Sequence, residues 1–568
     1  MTTLQNPVDR PTSPAFGRRS LIVAAGGLTA ATLVGCRTEG KAPTSGQNTL
    51  PVPKTIAKDI PGVIKPADPS GTLGMEVYPA PYTSTTGVPG KGGKVVTQRI
   101  LYGSPPEMGS GTNPMLQNLN ELTGVDWQVT NIPAAALNDK ITTMIAGGDY
   151  PELFWSEPTW RARTMQKYFQ QGAFWNMREL LAGDKVAEYP NIAMISQRVW
   201  QNSSFSGINP LVPGPRSLVP VGVGFYRADY AEKAGATPPA KGEDFTAFLT
   251  ELQGAGPKGT YAIATTSGAI TWCGLQTHGC VTTWRLDDNT QKLTHKIETP
   301  EYAAGLEYAL SLYQAGLVHP DATTLDTQPT QQSEMFIRGS SAWVTTATGN
   351  IIGGVGSAVD QMATRGEGGK VGWMVPPGFG GQPGVMLADQ GWWGGYGIAK
   401  KVTDEARIAE LLGLINFLCA PPGSEEWAAI ALGKRGFSYE LDADNQPVSL
   451  AEKLSPEELN YGFALPMGLP PAVFNFGTQW ASSVQTQMAI EAAAIPLLQF
   501  ESTLGYASDT QTQKGDALTL IITDFETQVM SGRKKLTDLP AMVDDWKRQG
   551  GDAMRTELEQ SIADDKTR

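Results

Sequence analysis

The chain has 568 residues, enough for two to four domains, and 40 % of them are apolar, enough to build real cores. A net charge of −12 argues against a nucleic-acid partner, because such modules carry a basic face. Fourteen Trp, sixteen Tyr and seventeen Phe are compatible with stacking on sugar rings, although most aromatic side chains sit in cores.

In chain order, Arg18-Arg19 precede the apolar run Leu21–Val34, which is shorter than the ~20 residues a membrane-spanning helix needs. A charged region followed by a short apolar one has the form of a secretory signal. The run ends in Leu33-Val34-Gly35-Cys36, which resembles the lipobox of bacterial lipoproteins, where the Cys becomes the first mature residue and carries lipid. Residues 1–36 are therefore expected to be a signal peptide with lipobox, and Cys36 the lipid anchor on the outer face of the cytoplasmic membrane. The paired arginines resemble a twin-arginine signal with the flanking pattern partly kept, so Sec and Tat export both stay open. Residues 37–93 (TSGQ, PADPSG, YTSTTGVPGKGG) show no sustained period, and this composition predicts a flexible tether.

Globular structure is expected from Lys94. KVVTQRILYG reads as a strand, Asn113–Thr123 as a helix with Met115, Leu119 and Leu122 on one stripe, and Val125–Val129 as a second strand. Leu137, Ile141, Met144 and Ile145 give the next helical stripe. Gly147-Gly148 stop it, Asp149 and Pro151 turn the chain, and Leu153-Phe154-Trp155 reads as a short buried strand. That strand delivers Trp155, Glu157 and Trp160 into a loop. Strand and helix alternate as in a doubly wound sheet, where ligands gather at strand ends.

The order of this helix, then GGDYPELFW, then an aromatic and acidic loop resembles the extracellular solute-binding proteins of bacterial ABC importers, especially their long oligosaccharide-binding branch. QGAFWNMRELL, with Asn176 and Glu179 placed as a capping box, is similar to the segment that follows in that family. So is Arg227-Ala228-Asp229-Tyr230 after the expected strand Leu218–Tyr226. The most specific likeness is TPEYAAGLEYALSLYQAGLVHPDATT followed by MFIRGSSAWV, which keeps order and spacing over some forty positions. Thr299, Pro300 and Glu301 open that helix as cap, first-position proline and first-turn acid. Trp343–Asn350 runs as a strand into TTATGN, where the family places ligand contacts from its second lobe. Thr403 is expected to cap the helix carrying Ile408, Leu411, Leu412, Ile415 and Cys419, the last read as a buried free thiol. PPGSEEW with GKRGFSYE, and the C-terminal stripes Leu518, Ile521, Ile522, Phe525, Val529 and Met542, Val543, Trp546, extend the resemblance to about Ile562.

What the resemblance implies is an α/β, two-lobed periplasmic-binding-protein-like fold with a cleft between lobes and a helical C-terminal region. Lobe I is expected from 94–222 and 376–440, and lobe II from 223–375 and 441–568. It further implies a monomeric substrate-binding protein that hands a carbohydrate to ABC permease subunits, with no nucleic-acid partner. Ligand contacts carried over by chain order are Trp155, Glu157, Trp160, Tyr226, Trp272, Asn350, Trp392, Trp393 and Tyr396. For the Gly391–Gly397 cluster, glycines that hold the rings out for stacking and a tight corner with the Trp pair in the core both stay open.

Cys273 and Cys280 are candidates for a disulfide, because an exported chain meets an oxidising environment. A metal held by Cys273, His278 and Cys280 is disfavoured: the paired Cys-x-x-Cys pattern and a fourth ligand are missing. Some long members of the family bind calcium through an Asp/Asn-rich loop, but Asp287-Asp288-Asn289 lacks the alternating ligand pattern and reads as a hairpin turn. Only three histidines occur, none in a hydrolase or zinc-protease motif, so neither a catalytic residue nor a cofactor is expected. Two carboxylates facing across a sugar would suffice for a glycosidase. A cell-surface glycoside hydrolase or polysaccharide lyase is therefore the rival reading, and a peptide or lipid receptor on the same scaffold a third.

Overall fold

The computed structural model describes residues 50–564 apart from 69–70, 81, 102–112, 134–135, 158–164, 166–167, 170, 206, 220–222, 354–356, 367, 451–452, 456–457, 459–471, 475–480 and 507. Cys36, the arginine pair and Trp160 lie outside the described residues.

The strand, helix and strand expected from Lys94 onward are present. Strand Lys94–Leu101 pairs in parallel with Asp126–Pro133, and helix Pro114–Thr123 makes the crossover. Asn113 caps that helix by accepting from the Met115 amide, and Gly124 ends it in the left-handed region at φ 70°. A second group of strands follows, in which Trp392–Ile398 lies between Leu153–Ser156 and Val212–Pro215 and runs antiparallel to both. The Gln98 amide ties the two groups together, donating to the Trp155 carbonyl at 2.8 Å. Leu119, Trp127, Phe154, Phe174 and Trp200 fill the core beneath, with Leu411, Ile415 and Leu418 from helix Glu405–Leu418. The cap of that helix is Asp404, one residue beyond the expected Thr403; its carboxylate accepts from the amides of Ala406 and Arg407.

The second lobe is built on a four-stranded sheet in the order Val371–Met374, Val223–Arg227, Ser341–Thr346, Tyr261–Ile263. The Val223 strand is antiparallel to both neighbours, and the Tyr261 strand is parallel to Ser341–Thr346. The strand expected at Leu218–Tyr226 is thus confined to Val223–Arg227, because its first residues belong to a crossing between lobes. Segment Gly268–Gln276 is a π-helix packed on helix Pro300–Gln314, and the two meet at glycines: a Cβ on Gly274 would stand 2.4 Å from the Gly305 carbonyl oxygen. The C-terminal helices Asp509–Met530, Leu539–Trp546 and Asp552–Asp564 bury Leu518, Ile522, Phe525, Val529, Met542, Val543 and Trp546 against the Trp284 hairpin and helix Pro300–Gln314. That hairpin turns at Asp287, whose carboxylate accepts from the amides of Asn289 and Thr290, as expected for a turn. Among the described residues no helix is long and apolar enough to cross a membrane.

Two boundaries fall elsewhere than expected. Residues 376–387 stay with the second lobe: the Val385 amide donates to the Gln276 carbonyl, and Met386-Leu387 pairs with Leu498-Gln499. The hairpin Tyr439–Leu441 with Pro447–Ser449 packs with Tyr78 and helix Glu425–Ala431 on the first-lobe side, and helix Ala481–Ala494 is the next element to join the second lobe's core.

The expected tether is laid against the body from Leu50 onward. The Lys54 and Ile56 amides donate to the carbonyls of Gly183 and Ala193, and Met75 and Tyr78 are buried. The amides of Ser84 and Thr85 are held by Glu426. A Pro- and Gly-rich segment lacks the apolar content to fold alone, yet it can satisfy its backbone on a surface already formed. We refer to residues 50–93 as the strap.

Candidate functional site

Register fixes which ends of the two sheets face the crossings. In the first lobe Trp392 stands opposite Pro215, where the chain leaves for the second lobe, while Ile398 opposite Leu153 marks the far end. Leu101, Pro133 and Ser156 are the carboxyl ends of their strands; Ser156, opposite Gly395, lies on the crossing side, and Glu157 follows it. In the second lobe Val223 pairs with Thr346, and Gly224 with both Thr345 and Met374, so Thr345, Thr346 and Met374 end on the crossing side. Strand carboxyl ends of open α/β sheets are where ligands bind.

Five of the expected contacts come together on two antiparallel strands and the loop after one of them. Trp155 and Tyr396 are register partners, both fully buried. Trp392 is buried as well, its indole N–H donating to the Asn202 carbonyl at 3.3 Å. The glycine frame draws rings in rather than holding them out. Gly394, at φ +67°, leaves room for Trp155: a Cβ there would lie 2.5 Å from Cζ2 of the indole. Trp393 is half-buried and carries the Arg216 guanidinium 5.1 Å from its ring centroid. Glu157 is buried. Trp155, Trp392 and Tyr396 thus pack in the first-lobe core. Trp393 is left as the accessible ring of the cluster.

The second-lobe residues are more scattered. Trp272 lies on the π-helix beneath Gly224, buried 4.8 Å from the Trp343 ring and 5.5 Å from Phe245, which is a core position. Tyr226 is half-buried beside Arg227, toward the end of its strand away from the crossings, edge-on to Phe248 at 5.3 Å. Asn350 is exposed on the short helix after strand Ser341–Thr346, and its amide donates to the Thr346 hydroxyl at 3.1 Å. Asn350 thus stands at the crossing-side end with Thr345, Thr346 and Thr348, a neutral, hydroxyl-rich edge.

Sequence reasoning missed the pair that joins the crossings. Arg216 and Asp389 form an ion pair at 2.7 Å, and the Asp389 carboxylate also accepts from the Gly391 amide at 2.9 Å. Burial raises the Asp389 carboxyl above the usual carboxylate range, opposed by Arg216 and the Gly391 amide. The one available signal was a charged residue at each crossing.

Cys273 and Cys280 are both free, which corrects the disulfide expectation. They face different cores, Cys273 among Phe248, Trp272 and Leu312, Cys280 among Trp284, Ile297 and Tyr302. Burial pushes both thiols up. Cys419 is a buried free thiol, as expected. Among the described residues no group of three metal-ligating side chains is assembled.

A hollow of about 1040 Å³ opens at the other end of the first lobe's sheet, lined by Lys94, Tyr150, Glu152, Lys401, Asp404 and Arg407. Of its charges, Arg407 is paired with Glu152 of the lining and with the neighbouring Glu410, at 2.8 Å each. It lies away from the crossings and belongs to no interlobe site.

The chain is 25 % identical over 474 residues to lipoprotein LipO of Bacillus subtilis (strain 168), covering 80 % of this chain and 89 % of LipO. It is 23 % identical over 257 residues to the polygalacturonan/rhamnogalacturonan-binding protein YtcQ of the same organism, covering 44 % of this chain and about half, 48 %, of YtcQ. In fold it matches the crystal structure of the alginate-binding protein AlgQ2 without calcium ion at a TM-score of 0.61 and 15 % identity, over 85 % of this chain and 99 % of that one. This likeness shows the two-lobed fold. The family model of the bacterial extracellular solute-binding proteins matches residues 102–422, more than half of the chain. The chain therefore belongs to the bacterial extracellular solute-binding proteins.

Proposed function

We propose that this protein is a lipid-anchored receptor that captures an oligosaccharide between its lobes and delivers it to ABC permease subunits in the membrane. The observation that carries the reading is the pairing of unlike edges at the crossings. One sheet ends in Trp393 beside the Arg216–Asp389 pair; the other ends in the neutral donors and acceptors of Thr345, Thr346, Thr348 and Asn350. An indole face suits the C–H face of a sugar ring, and hydroxyl and amide groups suit its hydroxyls. The names of YtcQ and AlgQ2 support a polysaccharide-derived ligand, and that of LipO supports lipid on Cys36.

Capture works by differential contact. A ligand touching both lobes stabilises the closed state over the open one, and only that difference drives closure. Micromolar affinity corresponds to about −8 kcal/mol. One stacked ring and several hydrogen bonds of ~1 kcal/mol each come within reach of it.

The test is a thermal-shift screen of the purified protein over neutral and acidic oligosaccharides, followed by analysis of the recovered sugars. A raised melting temperature with unaltered sugars is the expected result. New reducing ends or unsaturated products would make the protein a glycoside hydrolase or polysaccharide lyase instead. For the anchor, Cys36→Ser is expected to release the protein into the medium, and membrane association unchanged in that variant would refute lipidation at Cys36.

A further inference from the structure

The contacts around two of the crossings, at residues 215–219 and 388–391, place a pivot between the lobes. On the first crossing, Pro215 is still paired with Trp392 of the first lobe. Two residues later the Ser217 hydroxyl donates to Glu491 at 2.6 Å. Glu491 belongs to the second lobe: its helix Ala481–Ala494 buries Ile490 and Ala494 among Val223, Phe225, Phe336 and Met386. The Arg216 amide also donates to the Gly391 carbonyl of the first lobe at 2.9 Å, so the first-lobe and second-lobe attachments fall on adjacent residues. On the second crossing the Ala388 amide donates to the Gln499 carbonyl, on the second-lobe side, while the Gln390 carbonyl accepts from the Asn202 amide of the first lobe at 2.8 Å. Asp389 lies between, and its amide donates to the Leu218 carbonyl of the first crossing at 2.9 Å. Arg216 and Asp389, one at each of these crossings, are joined by the 2.7 Å ion pair.

Glu491 also holds the strap. Its two oxygens accept from the Thr72 amide and the Thr72 hydroxyl, each at 2.6 Å. On either side of Thr72 the strap is fastened to the first-lobe side, through Ile56 to Ala193 and through Tyr78 to Gln446. One carboxylate therefore fixes a crossing, a helix of the second lobe and the N-terminal strap at a single point. Hinges are a few residues that absorb the backbone rotation while their neighbours stay packed.

We infer that Glu491 is a positioning residue that holds the pivot of these two crossings at the Arg216–Asp389 pair and ties the stretch of the strap around Thr72 to the second lobe. Without it Ser217 is released, the flexible stretch of the first crossing lengthens, and the lobes sample a wider range of separations. The inference rests on the receptor reading for the purpose of the motion, not for its existence.

The experiment measures the interlobe distance in the full chain without ligand. Genetically encoded spin labels replace the exposed Lys185 of the first lobe and Glu251 of the second, so the native cysteines are untouched. A reference pair at Lys140 and Lys185 reports on the first lobe alone. Glu491→Ala and the milder Ser217→Ala are each expected to broaden the interlobe distribution roughly twofold while the reference pair stays unchanged. Thr72→Val is expected to raise hydrogen exchange in the strap around residue 72 and to broaden the interlobe distribution less. An interlobe distribution like that of the native chain in Ser217→Ala and Glu491→Ala, with only a lowered melting temperature, would overturn the inference. Because no ligand is used, that failure counts against the pivot alone, and failure to bind any sugar counts against the receptor reading alone.

Discussion

Tyr396 stands directly across the antiparallel ladder from Trp155, and neither ring reaches solvent, whereas Trp393 on the same strand is half-buried beneath Arg216. On the proposed receptor reading, the buried rings set the shape of one cleft wall and the half-buried Trp393 is offered to the guest. Trp155→Ala is expected to lose about 3–5 kcal/mol of stability, the usual cost of a large cavity. For the half-buried Trp393, alanine is expected to cost less than about 2 kcal/mol of stability, yet to weaken sugar binding at least about tenfold. Denaturant unfolding and calorimetric titration with the sugar found by thermal shift separate the two effects.

A prediction on thiol chemistry follows from the cysteine positions. Cys273, Cys280 and Cys419 are buried, and burial raises each thiol above its ordinary value. In the native, non-reduced protein these three are expected to resist alkylation, and after unfolding without reductant all three are expected to react. A mass two hydrogens short of the fully reduced chain in the unfolded, unalkylated sample would restore the disulfide.

Acid sensitivity is expected to have an identifiable source in the C-terminal helical region. His295 is buried between Trp284 and Trp546, with ring centroids at 4.8 and 4.4 Å, and burial, aided by Lys296 and Arg555 and opposed by Glu298, pushes it down to about 3. In the unfolded chain it titrates near 6.5, so below that pH the unfolded state takes up a proton that the folded state refuses. Stability is therefore lost as pH falls from about 6.5 toward 3, by up to ~1.4 kcal/mol per pH unit from this residue. His295→Asn, which keeps a capping side chain, is expected to flatten the pH dependence of unfolding in that window by close to one proton. An unchanged slope would assign the acid sensitivity elsewhere.

The strap can be tested on its own clasp. Glu426 accepts from the Ser84 and Thr85 amides at 2.8–3.0 Å and from the Thr85 hydroxyl at 2.7 Å. Burial raises this carboxyl, but those donors outweigh it and hold it below the usual range. Glu426→Ala leaves buried amides unmatched and is expected to cost about 1–3 kcal/mol. Limited proteolysis should then cut near residues 80–90 well before the body of the protein; a native-like cleavage rate would mean that the strap is held by its apolar contacts alone.

The sequence carried the periodic elements well, because helix stripes and caps are local. Asn176 accepts from the Arg178 amide and Thr299 from that of Tyr302, each opening the helix predicted there. The strands from Lys94 and Leu153 and the hairpin at Asp287 were legible for the same reason. The cleft was less so. Glycine both allows a ring to stay exposed and allows another ring to pack close, and only the register of Trp155 against Tyr396 decides between them. Arg216 and Asp389 lie far apart in the chain, and nothing local marks them as partners. Composition likewise reports how poorly residues 50–93 would fold alone, and is silent on the surface that accepts them.

The measurement closest to the central claim is small-angle scattering of the full chain with and without the oligosaccharide that raises its melting temperature. Closure about Arg216 and Asp389 requires the radius of gyration to fall on binding, with the sugar recovered intact. An unchanged radius at saturating sugar, or a sugar recovered cleaved, would contradict a receptor that shuts on its guest.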